Sequence, residues 1–211
     1  MKKKSCLPMQ KMSRQKSKLL MRSGGELDEM MLGSFVEKMR SGGNAERIVK
    51  GKNGKETMFL YNQNFSVCPN TTHIKIKDVS KNLTKKKIIT NINNINSFYK
   101  NIAGVKKPII GVMGLNPHNG IDFNKRTEEQ DVINPAIKKL IKDKIKVIGP
   151  LVPDVAFNEI DKKNINCLVG HYHDQVLPTF KYIHKFNAIN ITLGLPFLRI
   201  SPDHGTASNL K

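Results

Sequence analysis

The amino-acid sequence predicts an α/β fold in which a layered, largely parallel sheet is flanked by helices. Apolar runs of strand length recur along the chain, and amphipathic segments with a helical period lie between them. The run 108–113 is almost continuously apolar, as in a strand that is covered on both faces. Strands that alternate with helices form mostly parallel sheets with helices packed on their faces.

The first predicted elements lie between residues 57 and 102. Two β-prone runs, Met58–Tyr61 and Phe65–Cys68, flank an Asn-Gln-Asn turn at 62–64. The next element is a helix that either Ser80 or Thr84 caps. Its apolar positions recur at helical spacing, namely Ile88, Ile92, Ile95, Phe98 or Tyr99, and Ile102.

The second half of the chain continues this alternation. Strands are predicted over Pro108–Met113, Lys146–Ile148, Cys167–Gly170 and Ala188–Leu193. After the first of these strands, Glu128–Lys142 has the pattern of an amphipathic helix. Its predicted inward-facing residues are Val132, Ile133, Ala136, Ile137, Leu140 and Ile141.

Residues 1–56 differ in composition from the rest of the chain. Met1–Arg22 is strongly basic and contains no acidic residue, and Ser-Gly-Gly clusters follow at 23–25 and 41–43. Between these clusters, Leu27–Met39 has room for one short helix. We therefore expect a flexible basic leader over 1–56 and a folded part over 57–211.

The net charge of +19 raises the hypothesis of a nucleic-acid partner. The basic residues are mostly Lys, and the abundant Lys, Asn and Ile all have A/T-rich codons, so a biased genome gives the same composition. No nucleic-acid-binding motif accompanies the charge. The sequence therefore disfavours nucleic acid as a partner, although the charge still attracts small anions.

Cysteine usage and hydropathy indicate the compartment. The three cysteines, Cys6, Cys68 and Cys167, have neither the spacing of a metal site nor that of a redox pair, which is typical of a reducing cytosol. No apolar run approaches the length of a membrane span. We expect a cytoplasmic protein without a membrane partner.

Three histidines follow apolar runs of the predicted sheet. His73 comes after Phe65–Cys68, His118 after the strand that ends at Met113, and His173 after Leu168-Val169. In α/β folds ligands bind beyond the carboxyl ends of the strands, so these imidazoles have the opportunity to converge. Three imidazoles can hold a divalent cation with open positions for substrate. From spacing alone, three unrelated loop histidines remain the alternative.

The motifs around these histidines resemble one family, the 4-hydroxythreonine-4-phosphate dehydrogenases of vitamin B6 synthesis. The resemblance covers Thr57 to Lys211, with order and spacing in agreement. The matching stretches are Thr71-Thr72-His73, Gly114-Leu115-Asn116-Pro117-His118, Thr127-Glu128-Glu129, Gly149-Pro150 with Asp154, Tyr172-His173-Asp174-Gln175, and Asn190 to Pro196 continuing through Arg199 to Ser201-Pro202-Asp203-His204-Gly205-Thr206-Ala207.

The resemblance implies roles for individual residues. His73, His118 and His173 look like the family's metal ligands, which come from both subunits of a homodimer. The residues that resemble the family's binders of the phosphorylated substrate are Lys181, Asn190 and Arg199. Carboxylates that orient the ligand histidines are expected among Asp154, Asp174 and Asp203, with loop capping as the alternative. His204 is a further candidate for contact with substrate or cofactor.

The resemblance also implies an isocitrate- and isopropylmalate-dehydrogenase-like fold, and a reaction. The implied activity is oxidation of 4-phosphooxy-L-threonine by NAD (or NADP), followed by decarboxylation to 3-amino-2-oxopropyl phosphate on the route to pyridoxal phosphate. A divalent metal ion, Zn, Mg, Mn or Co, would assist. The absence of a Gly-x-Gly-x-x-Gly fingerprint does not oppose NAD, because the related dehydrogenases bind it without that loop.

The sequence departs from the family at several points. The family's Gly-His-Thr-Glu motif, whose His and Thr contact substrate, has no counterpart, and the family continues beyond Lys211. Ile121, Val155 and His171 replace the expected Glu, Thr and Met. We therefore expect an incomplete first domain. Two alternatives follow: a truncated remnant that dimerises and binds metal without turnover, or a paralogue acting on a related acid such as phosphothreonate.

Overall fold

The computed structural model describes residues 55–185, 187–195 and 199–202. The predicted leader up to residue 54, the predicted helix Leu27–Met39, Asp203 and His204 lie outside the described residues. Among the described residues, no helix is both long and apolar enough to cross a membrane.

Within the described ranges, seven strands form one sheet, in the order β4-β3-β5-β2-β1-β6-β7. Their bounds are β1 Thr57–Tyr61, β2 Ser66–Pro69, β3 Ile110–Met113, β4 Val147–Leu151, β5 Cys167–Gly170, β6 Ile189–Leu193 and β7 Arg199–Pro202. The strands from β4 to β2 pair in parallel, whereas β1 pairs antiparallel with both β2 and β6. The predicted α/β class with its parallel core is confirmed, and the antiparallel strands extend that core on one side.

Helices cover both faces of this sheet. They are α1 Val79–Asn82, α2 Lys85–Asn101, α3 Asn134–Lys142, α4 Glu159–Lys163 and α5 His173–His184, with short 3₁₀ turns at Ile76–Asp78, Pro117–Gly120 and Ala156–Asn158 and a π-helical turn at Glu129–Ile133. On one face, α2 and α3 pack over Phe59 and Val112. On the other face, α4 and α5 pack over Leu60 and Leu168.

The sequence pattern located most of these elements. Of the two candidate caps for α2, the structure selects Thr84, whose hydroxyl oxygen accepts a hydrogen bond from the Lys87 N–H at 3.2 Å. Both Phe98 and Tyr99 are buried, and they meet Phe59 edge-on with ring centroids 4.9 and 6.0 Å away. The continuously apolar β3 is buried along its whole length, as predicted.

Two expectations need correction. Ile141 was predicted to face inward, but 53% of it is exposed, because the covered stripe of α3 runs through Ala136, Ile137 and Leu140 and ends before it. The sequence patterns also predicted no helix after Cys167–Gly170, yet the segment that begins at His173 forms α5, with Pro178 inside the helix. Proline usually interrupts a helix, which obscured the helical pattern here.

Candidate functional site

The carboxyl ends of three neighbouring parallel strands carry the three histidines. In the sheet β5 lies between β3 and β2, and all three run in parallel. His118 follows β3, His173 is the first residue after the short link from β5, and His73 follows β2. The chain direction therefore places all three at one edge of the sheet, where α/β proteins bind ligands.

Two of the three imidazoles lie side by side. The ring centroids of His73 and His173 are 5.5 Å apart, with the rings tilted by 43°. His73 lies in the left-handed backbone region with φ of 48°, which is uncommon for a residue with a Cβ. The preceding loop is fixed because the Thr71 hydroxyl donates to the His171 carbonyl oxygen at 2.7 Å. This hydrogen bond ties the loop before His73 to the short link before His173.

His118 lies apart from this pair. Among the described residues, no group of three or more His, Cys, Asp or Glu side chains is arranged to hold a metal ion. His118 also has a left-handed backbone, with φ of 50°, and its Nδ1 is 2.6 Å from Asp122 Oδ2. A single copy of the described chain therefore supplies a histidine pair and a separate third histidine.

The Asp122 carboxylate determines the basicity of His118. Its hydrogen bond and its charge raise the pKa of the exposed His118 imidazole, and the charge of Asp154 adds a smaller effect of the same sign. Asp122 was not among the carboxylates considered from the sequence. The spacing of four residues was the available signal, although Asp122 here follows a kinked turn rather than a helix.

Replacing Asp122 with asparagine should lower the pKa of His118, because the hydrogen bond to an anion and its charge are both lost. The measurement is an NMR pH titration of the His118 ring. Asp131→Asn is the matched control, since that exposed carboxylate pairs with Arg126 instead. An unchanged His118 titration in Asp122→Asn would show that the contact with Asp122 does not persist in solution.

The imidazoles of the three histidines are suitable ligands for a divalent cation, and two of them have a spacing compatible with one ion. His173 Nδ1 is 2.7 Å from Asp174 Oδ1, and His118 Nδ1 is 2.6 Å from Asp122 Oδ2, so Nε2 of each ring remains available as a ligand. With metal–nitrogen distances of about 2.1 Å, two imidazoles on one ion have ring centroids roughly 5 to 6 Å apart. The separation of 5.5 Å between His73 and His173 lies within this range.

His171 replaces the Met that the family resemblance leads us to expect, and the structure buries it completely. Its Nδ1 accepts from the Asn70 amide at 3.1 Å, and its Nε2 donates to the Met113 carbonyl at 2.7 Å. Burial lowers the pKa of His171 to about 4, although the hydrogen bond to Met113 opposes this shift. With both ring nitrogens engaged, His171 joins β2, β5 and β3 and is not a spare ligand.

Gln175 adds a second bridge between the segments that carry His173 and His118. Its side-chain oxygen accepts from the His171 N–H at 2.6 Å, and its side-chain nitrogen donates to the Gly114 carbonyl at 2.8 Å. The positions of the two segments are therefore coupled by direct hydrogen bonds. This contact was not predictable from local sequence patterns, since it joins residues 61 positions apart.

The three residues that resemble substrate binders share one face of the sheet. Asn190 in β6 is opposite Leu60, and Thr192 is opposite Arg199 in β7, whose guanidinium donates to the Thr192 hydroxyl at 3.4 Å. Directly opposed residues point to the same side, and Leu60 points to the side covered by α5. Lys181 lies on α5, half-buried and about 12 Å along the helix axis from His173.

The carboxylates named from the sequence have different surroundings. Asp174 contacts its neighbour His173, as described above, and Asp154 is exposed and acts on His118 through its charge. Asp203 and His204, which the sequence also named, lie outside the described residues. The structure thus gives contacts for Asp174 and adds Asp122, a carboxylate that sequence reasoning missed.

Comparison with known proteins agrees with the family resemblance of the sequence motifs. The family model described as "Pyridoxal phosphate biosynthetic protein PdxA" matches residues 38–211. The 4-hydroxythreonine-4-phosphate dehydrogenase of Sulfurihydrogenibium sp. is 43% identical over 169 residues, which make up 80% of this chain and 52% of that protein. The enzyme of the same name from Wigglesworthia glossinidia brevipalpis is 43% identical over 158 residues, 73% of this chain and 46% of that protein.

Solved structures give the same relationship. The crystal structure of 4-hydroxythreonine-4-phosphate dehydrogenase from Klebsiella pneumoniae superposes with a TM-score of 0.66 at 33% identity, covering 74% of this chain and 47% of that one. The chain thus spans about half the length of the relatives it matches. The matched residues include the loops that carry His73, His118 and His173. The chain belongs to the PdxA family of pyridoxal phosphate biosynthetic proteins, whose named relatives are 4-hydroxythreonine-4-phosphate dehydrogenases.

Proposed function

We propose that this chain forms the metal- and substrate-binding part of a dehydrogenase that oxidises 4-phosphooxy-L-threonine with NAD as the hydride acceptor. The pair of His73 and His173 at the carboxyl edge of the sheet carries the proposal, because its ring separation of 5.5 Å suits one shared divalent ion. The names of the relatives support the proposed substrate class. Transfer of hydride from the hydroxyl-bearing carbon to NAD and loss of the hydroxyl proton to solvent would leave a β-keto acid, whose loss of carbon dioxide would give 3-amino-2-oxopropyl phosphate.

The chain's own residues support this chemistry in distinct ways. A divalent ion held by the histidines would polarise the reacting hydroxyl and stabilise the negative charge that develops on its oxygen. Lys181 and Arg199 would hold the phosphate and carboxylate of the substrate as cations, with the Asn190 amide as a hydrogen-bonding partner. All three lie on the side of the sheet that α5 covers, the helix that begins with His173.

We further propose that two copies of the chain complete each site. One copy places His73 and His173 together but leaves His118 apart, so the third ligand would come from the second copy. Exposed apolar side chains follow His73 and His118 in their loops, which supports a covering partner. These are Ile74 at 42%, Ile76 at 69%, Ile121 at 81% and Phe123 at 52% exposure.

The direct test is NADH formation by the purified chain with 4-phosphooxy-L-threonine, NAD and added divalent metal. We expect activity that His173→Ala abolishes, while Tyr182→Ala on the same helix retains it, since Tyr182 is 86% exposed. Activity only with phosphothreonate would identify the paralogue. A folded, metal-binding chain without turnover on either acid would favour a remnant that binds metal.

Mixing two inactive variants tests the shared site. A dimer of His118→Ala with His173→Ala contains one site with all three histidines intact and one site that lacks two of them. At free exchange of subunits, about a quarter of the sites are intact, and activity should return to that level. If all three ligands come from one copy, the mixture stays inactive.

A further inference from the structure

Glu129 is a buried carboxylate at the start of the π-helical turn, with 1% of its surface exposed. It faces the loop that carries His118. Its Oε1 accepts hydrogen bonds from the backbone N–H groups of Leu115 and Asn116, both at 2.8 Å, and its Oε2 accepts from the Asn116 side-chain amide at 2.9 Å. Three donors of the segment just before His118 thus converge on one carboxylate.

The same carboxylate also contacts the segment just after His118. Gly120 has φ of +71°, and a Cβ at this position would lie 2.6 Å from Thr127 Oγ1 and 3.0 Å from Glu129 Oε2. A side chain here would therefore collide with the wall that Thr127 and Glu129 form. Glu129 supports the loop on both sides of His118.

The loop needs such support because its backbone is strained. His118 and Asn119 both lie in the left-handed region, with φ of 50° and 57°. The left-handed region is unfavourable for a residue with a Cβ, so such a conformation persists only when the surroundings fix it. Asn119 is anchored by donating to the Pro150 carbonyl at 3.0 Å, and the Gly114 N–H donates to the Leu151 carbonyl at 2.8 Å.

The charge on Glu129 is stable in this position. Burial alone would raise its pKa, but the hydrogen bonds from the Asn116 backbone and side chain and from Thr127 outweigh burial and lower the pKa. Asn116 in turn has only one favourable orientation, because its side-chain nitrogen donates to Oε2 of Glu128 at 2.8 Å as well as to Glu129. A flipped amide would turn its oxygen towards two carboxylates.

We propose that Glu129 is a positioning residue for His118: its carboxylate fixes the backbone of 115–120 and thereby the direction of the His118 imidazole. The role differs from that of Asp122, which contacts the imidazole itself. The consequence for metal binding rests on the proposed function, whereas the effect on the loop does not. Nothing in this role requires Glu129 to touch substrate or to exchange a proton.

The informative variant is Glu129→Gln, in the full chain. Glutamine has one acceptor and one NH₂ group, so either the backbone N–H groups or the Asn116 amide would face a donor. Glu128→Gln is the matched control, because Glu128 makes no backbone contact with Leu115 or Asn116 and can still accept from the Asn116 amide. In the double variant, with both Glu128→Gln and Glu129→Gln, the Asn116 amide can flip so that its oxygen accepts from both glutamine NH₂ groups. We therefore expect the double variant to regain part of the hydrogen bonding that Glu129→Gln loses.

Three readouts separate positioning from a general structural role. In Glu129→Gln, the backbone amide hydrogens of Leu115 and Asn116 should exchange with solvent faster, relative to that of Val112 in β3. The NMR signals of the His118 ring should also shift. Affinity for Zn²⁺ should fall about tenfold, the lower range for loss of a residue that orients a ligand. Glu128→Gln should change none of these, and the double variant should recover part of each.

Two outcomes would overturn the inference. One is a Glu129→Gln chain whose Leu115 and Asn116 exchange and His118 signals match those of the unsubstituted chain. The other is amide hydrogen exchange that accelerates at Val112 as much as at Leu115 and Asn116, with no recovery in the double variant. That result would mean that Glu129 contributes to overall stability rather than to the position of this loop. If the unsubstituted chain binds no Zn²⁺, the proposed function fails, while the exchange and His118 readouts still decide the inference.

Discussion

Replacing Asn91 with leucine should lower the free energy of unfolding by about 2 to 4 kcal/mol, although leucine is the better helix former. Asn91 is 3% exposed on the inner side of α2. Its Oδ1 accepts from the Thr57 hydroxyl and its Nδ2 donates to Asn70 Oδ1, both at 2.8 Å. Leucine would leave the Thr57 hydroxyl without its acceptor and Asn70 Oδ1 without its donor. Each unsatisfied buried group costs about 1 to 3 kcal/mol.

Asn93→Leu is the matched control, since Asn93 lies on the same helix with its side chain exposed. Its effect on the free energy of unfolding should stay within about 0.5 kcal/mol. Urea unfolding of both variants gives the comparison, with equal slopes required for a valid difference. An Asn91→Leu chain as stable as Asn93→Leu would mean that the buried hydrogen bonds contribute nothing to stability.

Acidification below pH 6.5 should destabilise the fold through His171. Burial lowers its pKa to about 4 in the folded chain, from an ordinary 6.5. The unfolded chain therefore binds a proton between these values while the folded chain does not, so stability is full above pH 6.5 and is lost as the pH falls towards 4. At pH 5 the 1.5 units below 6.5, at about 1.4 kcal/mol each, amount to about 2 kcal/mol.

His171→Gln isolates this contribution from that of the carboxylates. Glutamine retains a donor and an acceptor but does not titrate between pH 4 and 7. The measurement is the midpoint of urea unfolding across that range for both chains, and the difference between them should narrow as the pH falls. Parallel profiles would show that His171 can be protonated in the folded chain.

The parts of the fold that sequence reasoning located depend on local patterns. Alternating apolar runs placed β5 at Cys167–Gly170, the bounds found in the structure, and the helical period of α2 named its buried face. Where a proline interrupted the local pattern, the helix was not predicted, as for α5, which contains Pro178. The helical period also does not determine the width of the buried face of a helix, and for this reason Ile141 was wrongly predicted to face inward.

For the candidate site too, local patterns predicted some features, whereas contacts between distant residues were not predictable. That the three histidines follow strands was readable from the sequence, and the adjacency of β3, β5 and β2 brings them to one edge. The contacts that hold their loops were not readable. His171 with Met113 and Gln175 with Gly114 join residues 58 and 61 positions apart, and only the packed sheet brings them together. Glu129 appeared in a family motif, but nothing local indicated that it accepts from Leu115 and Asn116.

The most direct test of the account is a calorimetric titration of Zn²⁺ or Co²⁺ into the purified 211-residue chain and its variants His73→Ala and His173→Ala. We predict binding by the unsubstituted chain and at least about a tenfold loss of affinity in both variants, because each removes one imidazole of the pair. Tyr182→Ala should bind as the unsubstituted chain does. Equal affinity in all four chains would contradict a metal site built on His73 and His173.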